Sequence, residues 1–280
     1  MEPAVTLETQ FEYDRQFADA PLISGIDEAG RGCLAGPVVT ARVTWNPRTS
    51  AALPWFPKLA DSKQIDAATR EDLYPRILEA AESVRVAMIG NIMIDHMNIL
   101  RATLYGFELV AGARRPEVPL LIDGNQKPPT LRWAVTLIKG DSRAGAVAAA
   151  GIVAKVTRDA AIRHLATAYP GYGLAGHKGY ATKTHREAIA RLGPSAIHRR
   201  SFKPCTLHDG DAHDLAADIL SDLTSTDGAD PTDLWHLMAD HYHRLPYARV
   251  PELVRTFQSV GLRVLPTADE LEPAHAQPVP

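Results

Sequence analysis

Cysteine is scarce in this chain: only Cys33 and Cys205 occur among 280 residues. Two cysteines cannot build the disulfide framework of a small secreted domain, and their separation does not suit a zinc site. Long hydrophobic runs are missing as well. The longest mostly apolar stretch of note, 144–154, is about half of what a membrane span needs, so no transmembrane helix is expected. The first twenty residues lack a basic start and an apolar block. They carry Glu2, Glu8, Glu12, Asp14 and Asp19 against Arg15 alone, so no secretory leader is expected and a reducing cytoplasm is the expected location. No internal repeat is present. Hydrophobic residues at 45% and charged residues at 22% fit a folded globular protein and exclude a disordered or fibrous one.

The net charge of −3 conceals an asymmetry. Lysine is absent from 206–280, which holds 4 Arg and 13 Asp and Glu for a net of −9, whereas 1–205 carries a net of +6. Within the latter, 155–203 has ten basic residues and only Asp159 and Glu187 as acids. That density suits a phosphate backbone, and it equally suits a pair of solvated helix faces. The acidic end would repel phosphates. The composition breaks between 204 and 211, which divides the chain into a loosely ordered lead-in over 1–20, a domain over 21–205 and an acidic extension over 206–280. Apolar residues at helical spacing in 215–223, 234–242 and 250–260 predict a small helical appendage there. Its last residues, 266–280, hold four prolines and are expected to fray.

Strands and helices alternate through the domain. Residues 22–28 and 37–45 are short and rich in β-branched residues, with a Gly-rich turn between them, which predicts a hairpin with an unusual bend. Further strands are predicted at 84–92, 119–123 and 133–138, and 45–57 reads as a surface loop. Ile94, Met97, Leu100, Leu104 and Phe107 recur at helical spacing and predict one helix over 94–113. A long Ala-rich helix over 142–169 is stopped by Pro170 and Gly171. Another helix starts at Thr184, which with Glu187 fits a capping box, and ends at Gly193. The pattern predicts an α/β fold, a mixed sheet flanked by helices.

Carboxylates finish several of these strands. Asp27 and Glu28 end the first, Asp123 ends a later one, and Asp141 follows the next at the mouth of the long helix. Ligand clefts form at strand ends in open sheets. Acids gathered at one point repel each other, and divalent cations relieve that. An all-oxygen donor set favours Mg²⁺ or Mn²⁺ over zinc, and such a cluster can hold two ions about 4 Å apart for phosphodiester displacement. Taken singly, Asp123 before Gly124 reads as a turn residue and Asp141 as a helix cap. Adjacent Asp27 and Glu28 point to opposite faces of a regular strand, so sharing one site requires the strand to bend.

Together the motifs resemble the ribonuclease HII family, the type 2 ribonucleases H. The resemblance runs from about Ile23 to Lys203 through Gly25-Ile26-Asp27-Glu28-Ala29-Gly30-Arg31-Gly32, Asp61-Ser62-Lys63, Asn98-Ile99-Leu100-Arg101-Ala102-Thr103, Ile122-Asp123-Gly124-Asn125, Lys139-Gly140-Asp141, Ala154-Lys155-Val156-Thr157-Arg158-Asp159, His177-Lys178-Gly179-Tyr180 and His198-Arg199-Arg200-Ser201-Phe202. It implies a ribonuclease H-like fold and a monomeric endonuclease using two Mg²⁺ or Mn²⁺ ions. It implies Asp27, Glu28, Asp123 and Asp141 as metal ligands. The implied substrates are RNA–DNA hybrids and duplex DNA with embedded ribonucleotides, nicked 5′ of the ribonucleotide to leave 3′-hydroxyl and 5′-phosphate ends. The resemblance further implies that the backbone of Gly30, Arg31 and Gly32 reads the ribose 2′-hydroxyl, that Tyr180 stacks on the deoxyribose at the 3′ side, and that Lys63 contacts phosphate. Asp159 is a candidate support for the metal cluster or a structural ion pair. His177, Lys178, Arg199 and Arg200 are candidates for phosphate contact or for folding the rim of the site. Two departures stand out: Cys33 where many relatives carry proline, and Gly151 where a serine is common. Alternatives are a ribonuclease HIII-like nuclease, disfavoured by the Gly30-Arg31-Gly32 turn, and a silent hybrid-binding module.

Overall fold

Successive side chains of a strand point to opposite faces of its sheet, and Ile23–Ala29 and Val38–Trp45, buried on both faces, form the centre of the first half of the sheet with Ser83–Ile89 at its edge. The computed structural model describes residues 11–59, 65–115 and 117–206. After helix α1 (Glu12–Gln16), strand β1 (Ile23–Ala29) pairs antiparallel with β2 (Val38–Trp45). Helices α2 (Pro47–Ala51) and α3 (Ala67–Ala80) lead to β3 (Ser83–Ile89), antiparallel to β2. Helices α4 (Asn91–Met97) and α5 (Ile99–Ala111) precede β4 (Leu120–Asp123) and β5 (Val135–Leu137), which add parallel strands on the other side of β1. The long α6 (Gly145–Ala168), the short α7 (Leu174–His177) and α8 (Lys183–Leu192) complete the described chain. The sheet order is β3-β2-β1-β4-β5.

Helix α6 covers one face, where Ile23, Val39, Ala41 and Val43 meet Ala146, Ala149, Ala150 and Val153. A Cβ on Gly25 would fall 2.2 Å from the Ala146 carbonyl carbon, so glycine is what lets α6 lie directly on β1. Helix α5 covers the opposite face, with Phe107, Val110 and Ala111 against Ile26, Leu120 and Ile122. This mixed sheet flanked by helices is the expected α/β architecture. Among the described residues no helix is long and apolar enough to cross a membrane.

Several local expectations need correction. The loop expected over 45–57 contains α2, whose first N–H groups are capped by the Asn46 side chain. The single helix expected over 94–113 is two helices, broken at Asn98 with φ 69°. Asn98 instead accepts from the Arg101 N–H and starts α5. The last helix begins at Lys183, one residue before Thr184, because Thr182 accepts the His185 N–H and is the cap. Residues 11–20 are no loose lead-in: Phe11 and Asp14 are buried. Helix α3, for which the sequence pattern predicts no element, is capped by Asp66 and buries only Leu73 and Ile77. The helices expected within 206–280 and the contact expected of Lys63 lie outside the described residues.

Candidate active site

The pairing of β4 with β1 ends at Ile26–Ile122, while β1 continues to Ala29 against β2. Beyond that point β1 has a neighbour on one side only. Asp27 and Glu28 therefore both border open space without the bend expected from the sequence: β1 stays regular through Ala29. A cleft of about 330 Å³ opens here, lined by Asp27, Glu28, Gly30 and Asp123 with Arg70, Gly151, Lys155 and Tyr180. A larger cavity of about 410 Å³ between α1 and α2 shares no lining residue with it.

Two of the four acids are held by the backbone. Asp27 accepts the Glu28 N–H at 2.7 Å, and Asp123 accepts the Gly140 N–H at 2.7 Å. The second bond ties the end of β4 to the 3₁₀ turn Gly140–Ser142 that carries the buried Asp141. Asp141 does not cap α6; Ala144 occupies that position. Glu28 pairs with Arg31 at 3.3 Å across the turn. Burial, and after it the charges of Glu28, Asp123 and Asp141, push the Asp27 carboxyl well above the usual carboxylate range. The four acids thus feel one another. Among the described residues, no three His, Cys, Asp or Glu side chains close up tightly enough to hold a metal ion. A set of hard carboxylate oxygens fits Mg²⁺ or Mn²⁺.

The turn after β1 is fixed from behind by two fully buried arginines. Gly30 has φ 96° and a Cβ there would lie 2.0 Å from Arg158 Nε, so only glycine fits. Arg199 donates to the carbonyls of Gly30 (2.8 Å), Arg31 (2.8 Å) and Gly36 (3.0 Å). Arg158 donates to Ala35, Pro37 and Lys178. Burial lowers the Arg199 guanidinium to about 10, which leaves it charged at neutral pH. Arg199 and Arg200 accordingly fold the rim and do not face phosphate. Cys33 is buried and bridges antiparallel to Tyr180, so the residue standing in for proline joins the turn to the tyrosine. Burial raises its thiol pKa, against the pull of Arg158 and Arg199.

Tyr180 is 39% exposed over the cleft. Lys155 sits 5.0 Å from its ring centre and Arg158 5.7 Å. Asp159 pairs with Lys155 at 2.8 Å along α6 and so supports a cation beside Tyr180. Lys155 and Arg70 are the residues that spacing did not single out. Gly151, Lys155 and Asp159 repeat every four residues, a signal that could have found Lys155. Arg70 had none, since α3 itself was not foreseen.

Behind Tyr180 stand three histidines. His185 Nδ1 bonds the Tyr180 carbonyl at 2.9 Å and so must donate. Its Nε2 then accepts from His198 Nε2 at 3.1 Å, and His198 Nδ1 accepts from the Ser195 N–H at 2.9 Å. His177 Nδ1 accepts the Gly179 N–H at 3.2 Å. Burial lowers the pKa of His185 and holds His198 down to about 3, so both of these rings are neutral.

A mixed sheet with acids at the ends of adjacent parallel strands defines the ribonuclease H-like class of nucleases, and solved structures share the fold. Ribonuclease H2 from Pyrococcus horikoshii OT3 is 24% identical with a TM-score of 0.55, over 66% of this chain and 95% of that one. Ribonuclease HII from Archaeoglobus fulgidus, solved in complex with PCNA, is 26% identical with a TM-score of 0.54, over 68% of this chain and 99% of that one. The family model for ribonuclease HII matches residues 24–205. The chain belongs to the ribonuclease HII family and is an endonuclease of the ribonuclease H type.

Proposed function

We propose that this endonuclease nicks duplex DNA 5′ of a single embedded ribonucleotide, besides cutting the RNA strand of hybrids, and that it acts as a monomer with two Mg²⁺ or Mn²⁺ ions. The observation that carries the reading is that Asp27, Glu28, Gly30 and Tyr180 line one cleft. Asp27, Glu28, Asp123 and Asp141 would hold the ions, which supply activation of the attacking water and neutralise charge growing on the leaving 3′-oxygen. Nothing stands within 4 Å of where a Gly32 Cβ would be, so a ribose can approach the turn closely and offer its 2′-hydroxyl. Tyr180 receives the next sugar, and Lys155, held by Asp159, meets a phosphate beside it.

The test is a duplex with one ribonucleotide, incubated with Mg²⁺, Mn²⁺ or EDTA beside all-DNA and full-hybrid duplexes. Metal-dependent nicking 5′ of the ribonucleotide, with all-DNA intact, is the expected result. Cutting of the long hybrid alone would overturn the single-ribonucleotide reading in favour of a ribonuclease HIII-like one. Binding without cleavage would return the silent module.

A further inference from the structure

Helix α1 lies ahead of the family match, which begins at residue 24, yet its contacts run to the segment that follows Asp141. Helix α6 starts without a side-chain cap of its own, since Ala144 offers none, and its first N–H groups need acceptors. Asp14, 131 residues away and buried, accepts the Gly145 N–H through Oδ2 at 2.6 Å. The Tyr13 N–H donates to the Arg143 carbonyl at 3.2 Å. Arg143 in turn reaches Glu12 through Nε at 2.9 Å and Nη2 at 2.6 Å, and lies 5.0 Å from the Tyr13 ring centre. Phe11 packs edge-on to Phe56 at 5.0 Å, and the Phe56 ring lies where a Cβ on Gly145 would be, 2.4 Å from Cζ. Three consecutive residues of α1 thus grip residues 143–145.

Little slack separates that grip from Asp141. The Arg143 and Ala144 N–H groups both donate to the Gly140 carbonyl, at 3.0 and 2.8 Å, closing the backbone around Asp141. Gly140 is itself tied to Asp123. A shift of residues 143–145 must therefore move the Asp141 carboxylate relative to Asp27 and Asp123.

We propose that α1 is a positioning element, in which Glu12, Tyr13 and Asp14 hold residues 143–145 and thereby set Asp141 within the metal-binding ring of acids. The proposal rests on the reading of Asp141 as a metal ligand. None of the three residues touches substrate or metal; they act through Asp141.

The experiment titrates Mn²⁺ into the full-length protein by calorimetry, without nucleic acid, and measures Tm, kcat, KM and the metal concentration at half-maximal cleavage. Asp14→Ala should weaken Mn²⁺ binding about tenfold, as loss of a supporting bond behind a metal ligand does, and raise the metal midpoint equally, with KM for the duplex unchanged. Asp14→Asn keeps an oxygen for the Gly145 N–H and should stay within about twofold of wild type. Arg143→Met, which spares the buried carboxylate, should weaken binding in the same direction by about threefold. Ile189→Ala, in the separate core around α8, is the control for lost stability alone. If Asp14→Ala and Arg143→Met lower Tm as Ile189→Ala does but leave Mn²⁺ affinity and midpoint unchanged, α1 is only packing and the proposal falls. Asp141→Asn tests the underlying reading separately: Mn²⁺ binding that survives it removes Asp141 from the site, and the proposal with it.

Discussion

At the scale of single residues, the raised carboxyl pKa of Asp27 is a statement about stability. The folded chain holds on to the Asp27 proton more tightly than the unfolded chain, so with no cation bound its stability declines as pH rises above the ordinary carboxylate value of 3.8. Asp27→Asn removes that cost. The variant should lose cleavage while showing a higher Tm than wild type in EDTA at pH 8, each 1 kcal/mol being about 2–4 °C in a domain of this size. Added Mn²⁺ should raise the Tm of wild type more than that of the variant, and a thermal-shift titration reads both effects. A lower Tm for Asp27→Asn in EDTA would contradict the charge argument. Tyr180 makes a different prediction, since its proposed contact is stacking. Tyr180→Ala should lower nicking at a single ribonucleotide by about 10- to 100-fold, from the ~1–3 kcal/mol of an aromatic stack, while Tyr180→Phe stays near wild type. Comparable loss in both variants would assign the work to the hydroxyl. Lys155→Met should weaken duplex binding and reduce the slope of log affinity against log salt by about 1, as expected for one lost phosphate contact.

Elements show which parts of the fold a sequence can reveal. Strands β1 and β2 flank a Gly-rich turn, β2 is rich in β-branched residues, and β4 is a short apolar run ended by Asp123, so their local pattern and tertiary role agree. Helix α6 is likewise written in its alanines. Helix α3 buries only Leu73 and Ile77 and contains Pro75, so its amphipathic signal is faint. The break at Asn98 was hidden because apolar spacing runs unbroken across it. Asp27, Asp123 and Asp141 were legible as acids at strand ends, whereas Lys155 and Arg70 enter the cleft only through the packing of α6 and α3. The histidine chain behind Tyr180 was equally invisible, being assembled from α7, α8 and the loop at Ser195. It carries a pH prediction. His198 ionises at about 3 in the folded chain against 6.5 unfolded, so the unfolded chain binds more protons between those values. Stability from this group is complete above about 6.5 and is lost as pH falls toward 3. Denaturant unfolding from pH 8 to pH 4 should show this decline, and His198→Phe should flatten it while lowering stability at pH 8. An unchanged slope would remove His198 as its source.

For the whole molecule, charge is distributed by function. The cleft's acids call for cations, while the surrounding net of +6 over 1–205 suits a polyanion, and the −9 of 206–280 opposes it. A tethered acidic segment competes with phosphate for the basic face at an effective concentration set by the tether. The Thr206 hydroxyl donates to the Arg200 carbonyl at 3.2 Å, next to the buried Cys205, and so belongs to the folded domain. Truncation after Thr206 should therefore raise affinity for all-DNA duplex, most at low salt, where unscreened charges matter across about 10 Å or more. Nicking at a saturating ribonucleotide substrate should change little, because the truncation keeps Asp27, Glu28, Asp123, Asp141 and Tyr180. Electrophoretic or anisotropy titrations from 50 to 300 mM salt separate the outcomes. Curves that converge at high salt and diverge at low salt support competition, and identical curves for both chains would show that the extension's charge does not reach the DNA-binding face.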